Sequence, residues 1–373
     1  MSDFRILVPR FLERDNHNAQ NLNAKALLSR FTSEDLSWIG AHYGEPDPAV
    51  RKNPRIKLTQ LWRRRLWLLR MWLLYLQPGD ALFYPGREVV DAAGVNWRRK
   101  LYPRRPIIAT LEGLAGTEAR EKQLTEWAGH PVYCQRVEQQ TMDRVDAILG
   151  HADHIIALSP FLAKMGRRLY GDKFCVLPLG VDTSVYHPPA SKDSGRMRVV
   201  SAGRVETHKR PELFLAMAER FPQADFIWYG EGSLRRALTE EAVARKLQNI
   251  SFPGGLPPLK LAGAFRQADL FVMSSKSEGV PKVTQEAAAC GLPVVLFGYY
   301  EAPSVIDGEN GFVVWSDEAL FARLAELLGS PELAVKMGQN GARLANTWDW
   351  DVLAPQWESV IKSLIPAEQN NKS

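Results

Sequence analysis

Short unbroken apolar runs alternate along this chain with longer segments whose apolar residues return every third or fourth position. The first pattern is that of a strand buried on both faces, the second that of a helix with one apolar side. Strands are predicted at Phe4–Val8, Ala81–Tyr84, Ile107–Thr110, His154–Leu158 and Phe174–Pro178. They resume at Arg198–Ala202, Phe226–Tyr229, Ile250–Phe252, Leu270–Met273, Val294–Phe297 and Phe312–Trp315. Alternation of this kind predicts an α/β fold built on parallel sheets. A polar, Pro-rich stretch from His187 to Gly195 interrupts it and reads as a linker. Two domains, 1–187 and 197–347, are therefore expected around a linker at 188–196. A closing helix and tail follow at 348–373, with Trp348–Leu364 apolar on one side and Gln369–Ser373 expected to fray.

Composition agrees with two globular domains, at 373 residues and 45% hydrophobic content. The cysteines Cys134, Cys175 and Cys290 are odd in number and scattered, which predicts a reducing compartment rather than a disulfide framework. Arg5, Arg10 and Arg14 break up the N-terminus, so no cleavable apolar leader is expected. The longest apolar run, Leu66 to Leu76, is split by Arg70 and is too short to span a bilayer. The expected location is cytoplasmic, peripheral at the cytosolic face of a membrane.

Charge changes that picture by its distribution. Residues 1–187 hold 27 basic and 20 acidic side chains, whereas the remainder holds 20 and 22. Residues 51–105 hold 14 basic side chains against only Asp80, Glu88 and Asp91. Within that window Trp62, Arg63, Arg64, Arg65, Trp67, Arg70 and Trp72 mix indole with guanidinium, as a membrane interface or an anionic acceptor favours. The competing expectation is a helix whose Leu/Trp stripe faces a sheet while its arginines face water. No nucleic-acid motif accompanies the basic stretch, so nucleic acid is not an expected partner.

Candidate chemistry lies in the second half. Glu278-Gly279-Val280-Pro281-Lys282-Val283-Thr284-Gln285-Glu286 places two carboxylates around a Gly/Pro loop and the first turn of an Ala-rich helix, which Gly291 stops. Carboxylates accept hydroxyl hydrogens, and the amides of a helix N-terminus meet phosphate. A nucleotide-activated sugar needs both. Upstream, an apolar strand runs into Gly203 and Arg204, then Lys209, before Pro211 opens a helix. Arg204 suits a diphosphate through its planar fork and Lys209 through its point charge.

At these residues the chain resembles the retaining glycosyltransferases of family 4, which have the GT-B fold: two Rossmann-like domains facing each other across a cleft. Glu278 and Glu286 match the Glu-x7-Glu signature, and Gly203, Arg204 and Lys209 match the diphosphate clamp. The likeness is strong from about Asp153 onward and weak over the first hundred residues. It implies that Glu286 holds the donor ribose, Glu278 a hydroxyl of the transferred sugar, and Arg204 with Lys209 the diphosphate. It also implies a UDP- or GDP-sugar donor, and a lipid-linked or surface-polysaccharide acceptor such as a lipopolysaccharide, capsule or exopolysaccharide precursor. The final helix would cross back to the first, acceptor-binding domain. Fixed cations would stand in for a metal, so neither metal nor cofactor is expected, and no protein nucleophile is assigned.

The departures from the family bear on the first half. Where many members carry a Gly-Gly loop, this chain has Arg10 to Asn21, in which Asn16 and Asn18 are candidate donors to acceptor or sugar. Glu112 stands roughly where many have a histidine, and could orient the sugar or the acceptor hydroxyl or simply end a strand. Lys282 replaces a small or apolar residue and could read a carboxylate or phosphate on a sugar. Asp349-Trp350-Asp351 has the form of a metal motif but opens the last helix, where Asp349 is expected to cap. His151 and His154 lack a third ligand nearby. Two other readings remain: a nucleotide-sugar epimerase of the same architecture, and a non-catalytic membrane-associated scaffold.

Overall fold

Two parallel sheets, each flanked by helices, organise the computed structural model, which describes residues 4–15, 19–42, 44–60, 67–86, 88–191 and 195–366; the side chains of residues 19, 67, 68 and 70 lie outside that description. In chain order the strands are β1 (Phe4–Phe11), β2 (Leu36–His42), β3 (Ile56–Gln60), β4 (Ala81–Phe83), β5 (Ile107–Leu111), β6 (Ala115–Gly116), β7 (Gln135–Arg136), β8 (His154–Ala157) and β9 (Phe174–Val176). Then come β10 (Arg198–Ala202), β11 (Asp225–Tyr229), β12 (Ile250–Ser251), β13 (Leu270–Met273), β14 (Val294–Phe297) and β15 (Gly311–Val314). The first sheet has the order β3-β2-β1-β4-β5-β8-β9, the second β12-β11-β10-β13-β14-β15, and β6 pairs with β7 alone. The pairing throughout the two large sheets is parallel.

Each order reverses once, between β1 and β4 in the first sheet and between β10 and β13 in the second. In doubly wound folds the crevice outside the strand ends at that reversal is where ligands bind. The central strands are buried on both faces, as β5, β13 and β14 are along their whole length, which is why they read as unbroken apolar runs. The predicted strands are present with ends displaced by at most a few residues. β2 and β3 were not foreseen.

The chain forms two compact units. One comprises Met1–Gln123, Gln135–Leu179 and Trp350–Ser373, the other Leu124–Cys134 and Gly180–Asp349. The boundary expected at residue 187 falls at Leu179, because the next residues are held by the end of the second unit. There the Val181 amide donates to the Trp348 carbonyl at 2.9 Å and the Thr183 amide to Asp349 Oδ2 at 3.0 Å. That also moves the start of the last helix from Trp348 to Trp350. Leu124–Cys134 leaves the first half for the second unit: Leu124, Val132 and Cys134 are buried, and Ser277 Oγ donates to the Tyr133 carbonyl at 3.1 Å.

The last helix, Trp350–Ser363, completes the first unit. Trp350 and Trp357 are each 1% exposed. Trp357 Nε1 donates to the Pro178 carbonyl at 3.0 Å, and Glu358 Oε2 accepts from the amides of Thr32 and Ser33, both at 3.0 Å. A proline inside the helix, Pro355, is tolerated in this packed setting although it removes one helix hydrogen bond.

Candidate active site

The reversal between β10 and β13 brings the two halves of the sequence pattern together. β10 ends at Ala202 and turns through Gly203, whose φ of +139° lies where a side chain would be strained. The same turn leaves no room at its neighbour, because a Cβ on Gly230 would stand 1.8 Å from the Gly203 carbonyl oxygen. A short 3-10 turn, Thr207–Lys209, follows, then Arg210 at φ +54° immediately before Pro211. The residue before a proline is disfavoured in the α region, so the turn ends there and the Pro211–Arg220 helix begins afresh.

This turn is fastened to the loop after β13. Ser274 Oγ donates to the Lys209 carbonyl at 2.7 Å and Ser275 Oγ to the His208 carbonyl at 3.2 Å, both serines being fully buried. The fastening delivers Lys209 Nζ to Glu278 Oε1 as an ion pair, with side-chain exposures of 14% and 12%. Arg210 forms a bidentate pair with Asp317, at 2.9 and 2.5 Å, which holds the base of the same turn. Arg204 lies exposed beside it, with no hydrogen-bond partner among the described residues. The His208 imidazole is held below its ordinary value by burial, then by the Lys209 and Arg204 charges, so the region is electropositive.

From Glu278 the chain passes through half-buried Gly279 and Val280 to buried Pro281, then into the helix Lys282–Ala289. No side chain caps that helix, so the amides of Lys282 and Val283 point outward from its positive end. Thr284 Oγ1 donates to the Pro281 carbonyl at 2.6 Å and sits 2.6 Å from Ser304 Oγ, fixing the first turn. Glu286 lies one turn further on. Part of its surface stays open, but enough protein surrounds the carboxylate that burial raises its pKa, against the lowering effect of Lys282. Its carboxylate has no hydrogen-bond partner among the described residues.

Residues 183–344 match the family described as glycosyl transferases group 1. The chain is 33% identical over 203 residues to the D-inositol 3-phosphate glycosyltransferase of Segniliparus rotundus, in an alignment covering 49% of this chain and 45% of that one. It is 24% identical over 289 residues to a GDP-mannose-dependent monoacylated alpha-(1-6)-phosphatidylinositol monomannoside mannosyltransferase of Corynebacterium glutamicum, covering 69% of this chain and 74% of that one. The chain spans about half the length of the first several curated relatives it matches. Among solved structures, Anabaena HepE in complex with UDP and glucose superposes with a TM-score of 0.71 over 96% of this chain and 100% of that one, at 16% identity. The fold is GT-B. Together the matches support a glycosyltransferase.

Of the sequence candidates, Gly203, Arg204, Lys209, Glu278, Gly279, Val280, Pro281, Lys282, Val283 and Glu286 all lie on these two strand-end segments. Glu112 lies in the other unit, just past β5, where its Oε1 accepts from the Tyr84 hydroxyl. Tyr84 follows β4 at φ +59°, a strained setting for an aromatic residue, and the Arg10 guanidinium lies 4.3 Å above its ring. Arg10 also donates to the carbonyls of Tyr84 and Pro85, both at 2.9 Å. Asn16, Asn18, Trp62, Arg63, Arg64 and Arg65 lie outside the described residues, and Trp67 and Arg70 enter only as backbone.

Sequence reasoning missed Tyr300, which follows β14 in the next strand-end loop. It is 2% exposed, its hydroxyl has no partner among the described residues, and burial followed by the Glu278 charge pushes its pKa well up. Nothing in the local pattern set it apart from a core tyrosine. Of the decoys, Asp349 accepts from Thr183, and His151 and His154 lie at the end of one helix and the start of β8.

Proposed function

We propose that this chain is a retaining, metal-independent glycosyltransferase of family 4, transferring a sugar from a UDP- or GDP-sugar to a lipid-linked or surface-polysaccharide precursor. The observation that carries the reading is the Lys209–Glu278 ion pair at the β10/β13 reversal, flanked by an uncapped helix, by Arg204 and by the Glu286 carboxylate. A cation and a carboxylate that neutralise one another become the two halves of a donor site when a ligand separates them. Lys209 then turns to the diphosphate and Glu278 to a sugar hydroxyl, while Glu286 accepts from the ribose.

Reaction breaks the bond between the anomeric carbon and the diphosphate oxygen, and forms one to the acceptor oxygen on the same face. The acceptor proton passes to the departing phosphate. Negative charge builds on that phosphate, and in this reading Arg204, Lys209 and the amides of Lys282 and Val283 meet it without a metal. Glu112, whose Oε1 accepts from the Tyr84 hydroxyl, is the first unit's candidate for orienting an acceptor hydroxyl or a sugar. The GDP-mannose and lipid substrates named for the Corynebacterium relative support the donor and acceptor classes.

A thermal-shift panel of UDP, GDP, ADP and their sugars, with and without chelator, tests the reading. One nucleotide family should raise the melting temperature equally with and without chelator. NMR of the product should show the anomeric configuration retained. A chelator-sensitive shift removes the metal-independent claim, and interconversion of the donor sugar without transfer identifies an epimerase.

A further inference from the structure

Two neighbouring tyrosines follow β14 in the second unit, and only one has its hydroxyl satisfied within the described residues. β14 runs into a 3-10 turn, Gly298–Tyr300, which Glu301 closes at φ +42°. Tyr299 stacks on Phe297 at 5.3 Å, meets Tyr133 edge to face at 5.0 Å, and donates its hydroxyl to the Trp315 carbonyl at 2.8 Å. Tyr300 is 2% exposed, and its enclosed hydroxyl bonds to none of the described residues. A buried tyrosine usually finds a partner, because an enclosed hydroxyl without one costs stability.

Glu278 has the matching deficit. Its Oε1 is taken by Lys209, and no other group among the described residues bonds to the carboxylate. β13 and β14 are neighbours, paired from Phe271↔Val294 to Met273↔Leu296, so the loops carrying Glu278 and Tyr300 leave adjacent strand ends. The two loops are also tied together further on. Thr284 Oγ1, in the first turn of the helix after Glu278, lies 2.6 Å from Ser304 Oγ, just past Tyr300. Burial and then the Glu278 charge push the Tyr300 pKa well up, which keeps the proton on the phenol as a hydrogen-bond donor. We propose, resting on the donor-site reading, that Tyr300 is a positioning residue whose hydroxyl donates to Glu278 when Lys209 leaves that carboxylate for the diphosphate. Without such a donor the exchange would strand a largely buried carboxylate, which is costly. With it, one oxygen is held while the other accepts from a sugar hydroxyl.

The test is calorimetric titration of the full chain with UDP, GDP, UDP-glucose and GDP-mannose. Tyr300→Phe should bind the preferred nucleotide sugar about tenfold more weakly than wild type, with its melting temperature held or raised. In a Glu278→Ala background the same substitution should change affinity by less than about twofold, because the acceptor of the hydroxyl is gone. A loss of equal size in both backgrounds would mean damage to packing, and overturns the proposal. Unchanged nucleotide-sugar affinity in Tyr300→Phe overturns it too, as does a fall of several degrees in melting temperature. Wild type that binds none of the four ligands removes the donor-site reading and this role with it. Wild type that binds, with Tyr300→Phe binding equally well, removes this role alone.

Discussion

Replacing Glu286 by glutamine should move stability and donor affinity in opposite directions. This carboxylate is desolvated and has no hydrogen-bond partner among the described residues, and its pKa is raised above the ordinary 4.5 by burial, with Lys282 only partly opposing. A carboxyl whose folded-state pKa is raised contributes stability that is fully present below its unfolded value and is lost as pH rises through the folded value. At neutral pH the charge is therefore a net cost, and Glu286→Gln should stabilise the ligand-free protein by on the order of 1 kcal/mol, or roughly 2–4 °C. That gain should shrink as the pH falls from the raised value toward 4.5, where wild type itself becomes protonated. With donor present the sign reverses. Hydrogen bonds to a charged acceptor contribute about 1.5–3 kcal/mol, so losing the charge should weaken nucleotide binding about ten- to a hundredfold. Thermal denaturation across pH reads the first effect, and calorimetric titration with UDP and GDP the second. A glutamine variant that melts lower than wild type, or binds nucleotide as tightly, refutes the argument.

Three further outcomes follow from the same geometry. Arg204→Ala should lower kcat about 100- to 1000-fold with KM little changed, because the charge it meets develops as the phosphate leaves; initial-rate kinetics showing only a raised KM would rule out that role. Lys209→Met and Glu278→Gln should each destabilise the empty protein by up to about 3 kcal/mol, since each leaves a largely buried group without its partner. The double variant should cost less than their sum, and strict additivity in urea denaturation would refute the pairing. Tyr300→Phe removes a hydroxyl that bonds to no described residue, so melting temperature should hold or rise. A fall of several degrees would mean that the hydroxyl is structural.

The second unit was the more legible half of the sequence, for a physical reason. β10, β13 and β14 are buried on both faces and end in glycine or serine turns, so each is an apolar run with a marked end. β3 sits at the edge of its sheet, and Ile56-Lys57-Leu58-Thr59-Gln60 alternates with polar residues that reach water. β2 pairs between β1 and β3 yet carries Ser37, Gly40 and His42, which dilute its apolar signal. The Gly203, Arg204, Lys209, Glu278 and Glu286 set could be read because local spacing fixes it. The Lys209–Glu278 ion pair and the buried Ser274 and Ser275 that enforce it join segments more than sixty positions apart, which no local pattern records. The same holds for Leu124–Cys134, whose place in the second unit depends on Tyr133 meeting the Ser277 hydroxyl and the Tyr299 ring.

That excursion, with the final helix, means that neither unit is one continuous piece of chain. During synthesis the first unit must wait for residues 350–363 before Trp350 and Trp357 can fill their places, and by then the second unit has already emerged. On this chain order the second unit can close before the first has all of its chain. A gene cut at the Pro-rich linker would yield two fragments, one lacking its closing helix and the other missing Leu124–Cys134. Cut there, neither half keeps all of the chain that its unit uses.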